Sequence, residues 1–70
     1  MSRKKHILLV EDELELAKSI LIFLSANDFL PFHAKDLESA RKLLRKENFV
    51  VVLLDLGLPD GDGLSLIKEI

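Results

Sequence analysis

The 70-residue chain predicts an α/β fold built on a doubly wound parallel sheet, and three observations carry that expectation. Short apolar runs alternate with longer amphipathic stretches in the order strand, helix, strand, helix, strand, helix, the pattern of a parallel sheet with crossover helices. The runs "HILLV" and "FVVVLL" are apolar throughout instead of alternating, as strands covered on both faces are. The run between them carries Pro31, which cannot donate to a ladder and therefore belongs at a sheet edge.

The first strand is read as His6 to Val10, meeting Glu11 and Asp12 at once. A helix follows from Asp12 to Ala26, with Leu14, Ala17, Leu21 and Leu24 on one stripe and Leu16, Ile20 and Phe23 beside it, a wide apolar face at helical spacing. Asp12 is expected to cap it, and Glu15 three positions on completes a capping-box-like pattern. Leu30 to Lys35 is read as the second strand. Asp36 caps a second helix that turns Leu37, Ala40, Leu43 and Leu44 inward and Lys42, Arg45 and Lys46 to water. Phe49 to Leu54, dense in β-branched residues, is the third strand, and "LSLIKEI" at Leu64 to Ile70 starts a third amphipathic helix.

With the proline-bearing strand at an edge, right-handed crossovers give the strand order 2-1-3. The chain then reverses direction across the sheet, which sends the first two helices to opposite faces. The gap between strands one and three becomes a topological switch point, where open α/β sheets bind ligands outside the carboxyl ends of their strands. Glu11 and Asp12 end the first strand and Asp55 ends the third, so three carboxylates converge there.

Totals narrow the function classes. Seventy residues make at most one domain, and a chain this short buries only about 60% of its unfolded surface. Hydrophobic residues at 49% and charged residues at 31% mark a globular chain. Twelve acids against ten basic residues, net charge -2, do not make a nucleic-acid-binding surface. The absence of cysteine excludes disulfides and thiolate metal sites. The apolar run ending at Leu54 is far short of the roughly 20 residues a membrane span needs. Arg3 to Lys5 do not introduce a signal peptide, so a cytoplasmic, soluble chain is expected.

Three carboxylates in one cleft repel one another unless their pKa values rise or a cation neutralises them. A hard divalent ion suits oxygen donors, and Mg²⁺ takes one or two carboxylates with waters and the phosphate being handled. An aspartate beside it can then attack phosphorus and become an aspartyl phosphate. Rival motifs fail. An EF-hand would need an oxygen ligand at Leu64 and glycine at Ser65, no glycine pattern fits a dinucleotide or phosphate loop, and a dehalogenase-type phosphatase would need aspartate at Gly57.

"ILLVEDE" taken together with "LLDLGLPDGDG" resembles the receiver domain of two-component response regulators, from strand one into helix three. The resemblance implies a flavodoxin-like (CheY-like) fold of which residues 1–70 form an incomplete amino-terminal part. It implies that Asp55 accepts a phosphoryl group from a sensor histidine kinase or phosphotransfer protein. Asp12 would bind Mg²⁺ directly, Glu11 mostly through water, and Asp55 and the Gly57 carbonyl would add ligands. Pro59 and Gly63 fit the loop that follows the acceptor. It further implies a phosphoprotein that acts as a switch and not as an enzyme. DNA would be reached only through a transcriptional output domain that these residues do not include.

The family has five strands, and its fourth-strand hydroxyl residue and fifth-strand lysine, which contact the phosphoryl oxygens, have no counterpart in this chain. Lys68 and Arg3 to Lys5 stand at the wrong places to replace them. A third strand at an open edge invites pairing with a second copy of the chain, so a self-associating fragment that takes no phosphate is the alternative expectation. Among the remaining polar residues, Asp60 and Gly61 read as a turn and Asp62 as the cap of helix three. His6 and His33, lone histidines on strands, read as structural.

Overall fold

The computed structural model describes residues 4–54. Three parallel strands, β1 (Lys5–Val10), β2 (Phe29–Ala34) and β3 (Val51–Leu54), pair in the order β2-β1-β3. Two helices connect them, α1 (Leu14–Ala26) and α2 (Leu37–Lys46). The expected order 2-1-3 holds, and Pro31 lies on an edge strand opposite Ile7. The expected third helix lies outside the described residues, as do Asp55, Gly57, Pro59 to Gly63 and Lys68.

Side chains alternate across a strand, so the register sorts the sheet into rows. Phe32, Leu8 and Val52 form one row on the α2 face, and Ala34, Val10 and Leu54 form the next. Leu8, Val10 and Ala34 pack with Leu37 and Ala40 of α2 into a core, flanked by Phe32, Leu43, Leu44, Phe49, Val52 and Leu54. Small side chains at Ala34 and Ala40 let helix and sheet close together without a gap. Truncating Leu8, which with Leu37 is the largest fully buried side chain among the described residues, would cost about 2–5 kcal/mol.

Pro31, Ile7 and Val51, then His33, Leu9 and Leu53, make the rows of the opposite face. The helix α1 packs against β2, with Ala17 and Leu24 buried and neither of them part of the α2 core. The two helices therefore cover opposite faces, as the crossover rule requires.

Several local expectations are corrected. The first helix starts at Leu14 and not at Asp12, and its N-cap is Glu13, which makes no side-chain capping bond. Asp12 is exposed, and the backbone there is held by the carboxylate of Glu11, which accepts the Glu13 N–H at 3.1 Å. Of the wide apolar face of α1, only Ala17 and Leu24 are buried; Leu14, Leu16 and Phe23 are exposed because α1 lies over β2, at the sheet margin. The second strand begins one residue earlier than read, at Phe29. The third is shorter, and Val51 and Leu53 are exposed while Val52 and Leu54 face the α2 core, so β3 is covered on one face among the described residues.

The amino-terminal end of the sheet is closed by aromatic contacts. Phe32 and Phe49 meet edge-to-face at 5.3 Å between ring centroids, and the His6 ring lies 5.1 Å from Phe32. His6 Nδ1 is 3.5 Å from Glu47 Oε1 in a half-exposed pair, worth little to stability. The structural reading of His6 fits this setting.

Candidate functional site

At the carboxyl end of β1 the chain leaves the apolar core and presents two acids in succession. Val10 is fully buried, and Glu11 beside it is only 8% exposed, the one charged side chain buried to that degree among the described residues. An acid is not placed this deep without partners, because burying an unpaired carboxylate is expensive. Glu11 is held through three groups. Its N–H donates to the carbonyl of Ala34 at 3.0 Å, its carbonyl lies 2.8 Å from His33 Nε2, and its carboxylate accepts from the Glu13 N–H. Asp12 follows on the exposed turn into α1.

The strand partners fix where the acidic turn lies relative to β3. Val10 pairs with Leu54, so β1 and β3 reach the same height where β3 ends. Asp55 is the next residue of the chain, and it lies outside the described residues with Gly57, Pro59 and Gly63. The structure thus brings Glu11 and Asp12 together at the end of the central strand, on the side of the sheet order where the switch point falls. Among the described residues no group of three or more His, Asp or Glu side chains forms a metal-binding cluster. Two adjacent carboxylates are the oxygen-donor set that Mg²⁺ takes from a protein when waters and phosphate complete its shell.

His33, read from the sequence as structural, makes a bond to the Glu11 carbonyl that the sequence alone does not indicate. A carbonyl only accepts, so His33 Nε2 carries the hydrogen and donates it to Glu11. The two residues lie far apart in sequence, and no local motif joins them. The parallel register, which sets His33 beside Leu9, is what brings the imidazole to the strand end.

The surroundings of α2 follow the sequence. Asp36 Oδ1 accepts the Ser39 N–H at 2.8 Å, the expected cap. The Ser39 N–H, then the Ser39 hydroxyl, with Lys35 and Lys42 nearby, hold the Asp36 carboxyl below the usual carboxylate range. Among the described residues, no helix is long and apolar enough to cross a membrane.

Comparison with known proteins adds an independent line. The family described as response regulator receiver domain matches residues 7–70. The chain is 39% identical over 70 residues to the response regulator protein PilR of Pseudomonas aeruginosa, covering 100% of this chain and 16% of PilR. It is 36% identical over 66 residues to the phosphate regulon transcriptional regulatory protein PhoB of Escherichia coli, covering 94% of this chain and 29% of PhoB. The chain therefore spans less than a third of the length of these relatives. Among solved structures, the non-phosphorylated HemR receiver domain of Leptospira biflexa superposes with a TM-score of 0.89 at 38% identity, over 94% of this chain and 53% of that one. A receiver domain of the Francisella response regulator 1452 gives 0.88 at 27% identity, over 94% of this chain and 55% of that one.

Proposed function

This chain belongs to the response regulator receiver domain family, and from that premise we propose that it accepts a phosphoryl group on Asp55 and relays it as a signal. The observation that carries the reading is the buried Glu11 beside Asp12, directly after Val10 of the central strand, which pairs with Leu54, the residue that precedes Asp55. A carboxylate oxygen of Asp55 attacks the phosphorus of a phosphohistidine on a sensor kinase or phosphotransfer protein. The P–N bond breaks, the imidazole nitrogen keeps the electron pair, and an acyl phosphate forms on Asp55.

Bound Mg²⁺ supplies the positive charge that offsets the phosphoryl oxygens. Asp12 would hold it directly, Glu11 mostly through water, and Asp55 and the Gly57 carbonyl would complete the protein's share. Glu11, anchored by its own backbone, carries Asp12 on a turn whose geometry is set before any ligand arrives. Pro59 and Gly63 shape the loop beyond the acceptor. No turnover of phosphomonoesters is expected, because a receiver is a switch that stores the phosphoryl group.

PhoB is by name a transcriptional regulator, and the same kind of output, DNA binding through another domain in the cytoplasm, is the reading extended to this protein. Incubation with a small phosphodonor tests the core of it. Label that appears only with Mg²⁺ and is lost in Asp55→Asn is the expected result, and label that survives the substitution removes Asp55 from the role.

A second reading concerns the 70-residue chain by itself. Val51 and Leu53 are exposed on β3, which among the described residues pairs on one side only, and this favours self-association through the third-strand edge.

A further inference from the structure

We propose that His33 is a positioning residue for the acidic turn, fixing the peptide between Glu11 and Asp12 and thereby setting the site's affinity for Mg²⁺. The inference rests on the receiver reading and deepens it. The ladder between β1 and β2 runs to its last backbone bond, from the Glu11 N–H to Ala34. One atom group further on, the Glu11 carbonyl has passed the end of β2, since Ala34 is the last residue of that strand. The His33 imidazole supplies the bond from a side chain, at 2.8 Å.

The consequence follows from the planarity of the peptide. The Glu11 carbonyl, the Asp12 nitrogen and both flanking Cα atoms lie in one plane, so a bond that fixes the carbonyl direction also fixes where Asp12 Cα sits. The Glu11 carboxylate then holds the Glu13 N–H on the far side of Asp12. Asp12 is thus the exposed residue of a turn tied down before and after it, with no hydrogen bond of its own side chain needed to place it. Removing the His33 bond loosens the carbonyl side of Glu11, while the Ala34 and Glu13 bonds stay in place. The exposed carboxylate would then pay out more conformational freedom on binding a cation, and affinity falls. Partners that orient metal ligands in this indirect way typically contribute about 10–100-fold in affinity.

Gln is the conservative replacement, because its amide N–H sits about as far along the side chain as Nε2. Calorimetric titration of the chain with Mg²⁺ alone, in the wild type, His33→Ala, His33→Leu and His33→Gln, tests the proposal. Loss of about tenfold in affinity in the Ala and Leu variants is expected, with recovery of most of it in Gln. Thermal midpoints without metal should be alike in Leu and Gln, separating positioning from folding; should the Ala variant fail to fold, the Leu and Gln pair decides. Unchanged Mg²⁺ affinity in the donor-free variants, or a Gln variant as weak as Leu, overturns the role of His33 and leaves the receiver reading standing. A wild type that binds no Mg²⁺ at all overturns the metal site and this inference with it.

Discussion

The Glu11 carboxylate accepts the backbone N–H of Glu13 at 3.1 Å, so the buried acid of the proposed metal site also secures the start of α1. The two duties separate by substitution. Glu11→Gln keeps an acceptor oxygen and removes the charge, whereas Glu11→Ala removes both. The Ala variant should lose about 1–3 kcal/mol of stability in urea unfolding, and the Gln variant less. Mg²⁺ binding should weaken in both. A Gln variant that binds Mg²⁺ like the wild type would take Glu11 out of the metal site and leave it as a helix anchor.

The cap at Asp36 predicts a pH dependence of definite sign. The Ser39 N–H and hydroxyl hold the folded-state pKa below its unfolded value. The unfolded chain therefore takes up the proton first on acidification, and the cap's contribution is full above the ordinary carboxylate range. It declines as pH falls through that range and is gone below the depressed folded value. Comparison of wild type with Asp36→Ala isolates the effect from the other acids. The gap between their urea midpoints should be widest at neutral pH and should narrow on acidification, and a gap that widens in acid contradicts the assignment.

Asp28 is the one non-glycine residue with positive φ among the described residues, at 69°, just past the end of α1. Left-handed backbone at this position is the usual way to end a helix, and glycine adopts it without a Cβ penalty. Aspartate tolerates it better than most residues, so the gain from relief is modest. Asp28→Gly is expected to raise stability by up to about 1 kcal/mol, and Asp28→Val to lower it by about 1 kcal/mol or more. Urea midpoints of the two variants check both signs.

These contrasts show what a sequence of this kind carries. Strand order was legible because Pro31 marks an edge and the apolar runs mark buried strands, both local facts. The α2 cap was legible for the same reason, since Asp36 and Ser39 are close in sequence. The start of α1 differs from the reading because Asp12 and Glu15 resemble a local cap, while the acceptor that holds Glu13 is Glu11, the first residue after β1. His33 reads as structural from the sequence, but its partner is not legible there, because the bond to Glu11 exists only through the pairing of β1 with β2. Asp55 and Gly57 follow Leu54, and their roles rest on the sequence motif and on the acids that β1 brings to the same end of the sheet.

The open face of β3 gives the last prediction. Val51 is 43% exposed and Leu53 37%, on the face away from α2, while Phe23 of α1 is 65% exposed. Apolar side chains on a strand that, among the described residues, pairs on one side only form a template for another chain, and stable protein interfaces bury roughly 1,200–2,000 Å². A partner strand added beside β3 would satisfy the backbone groups that have no strand partner among the described residues, and the rest of the second copy would lie over Val51 and Leu53. Sedimentation of the 70-residue chain should therefore show a concentration-dependent dimer. Leu53→Lys places a charge where the partner would sit and should shift the population to monomer, with the helical signal retained. A wild type that stays monomeric at every concentration would show that this face needs no second copy, and would leave the phosphoacceptor reading to stand without it.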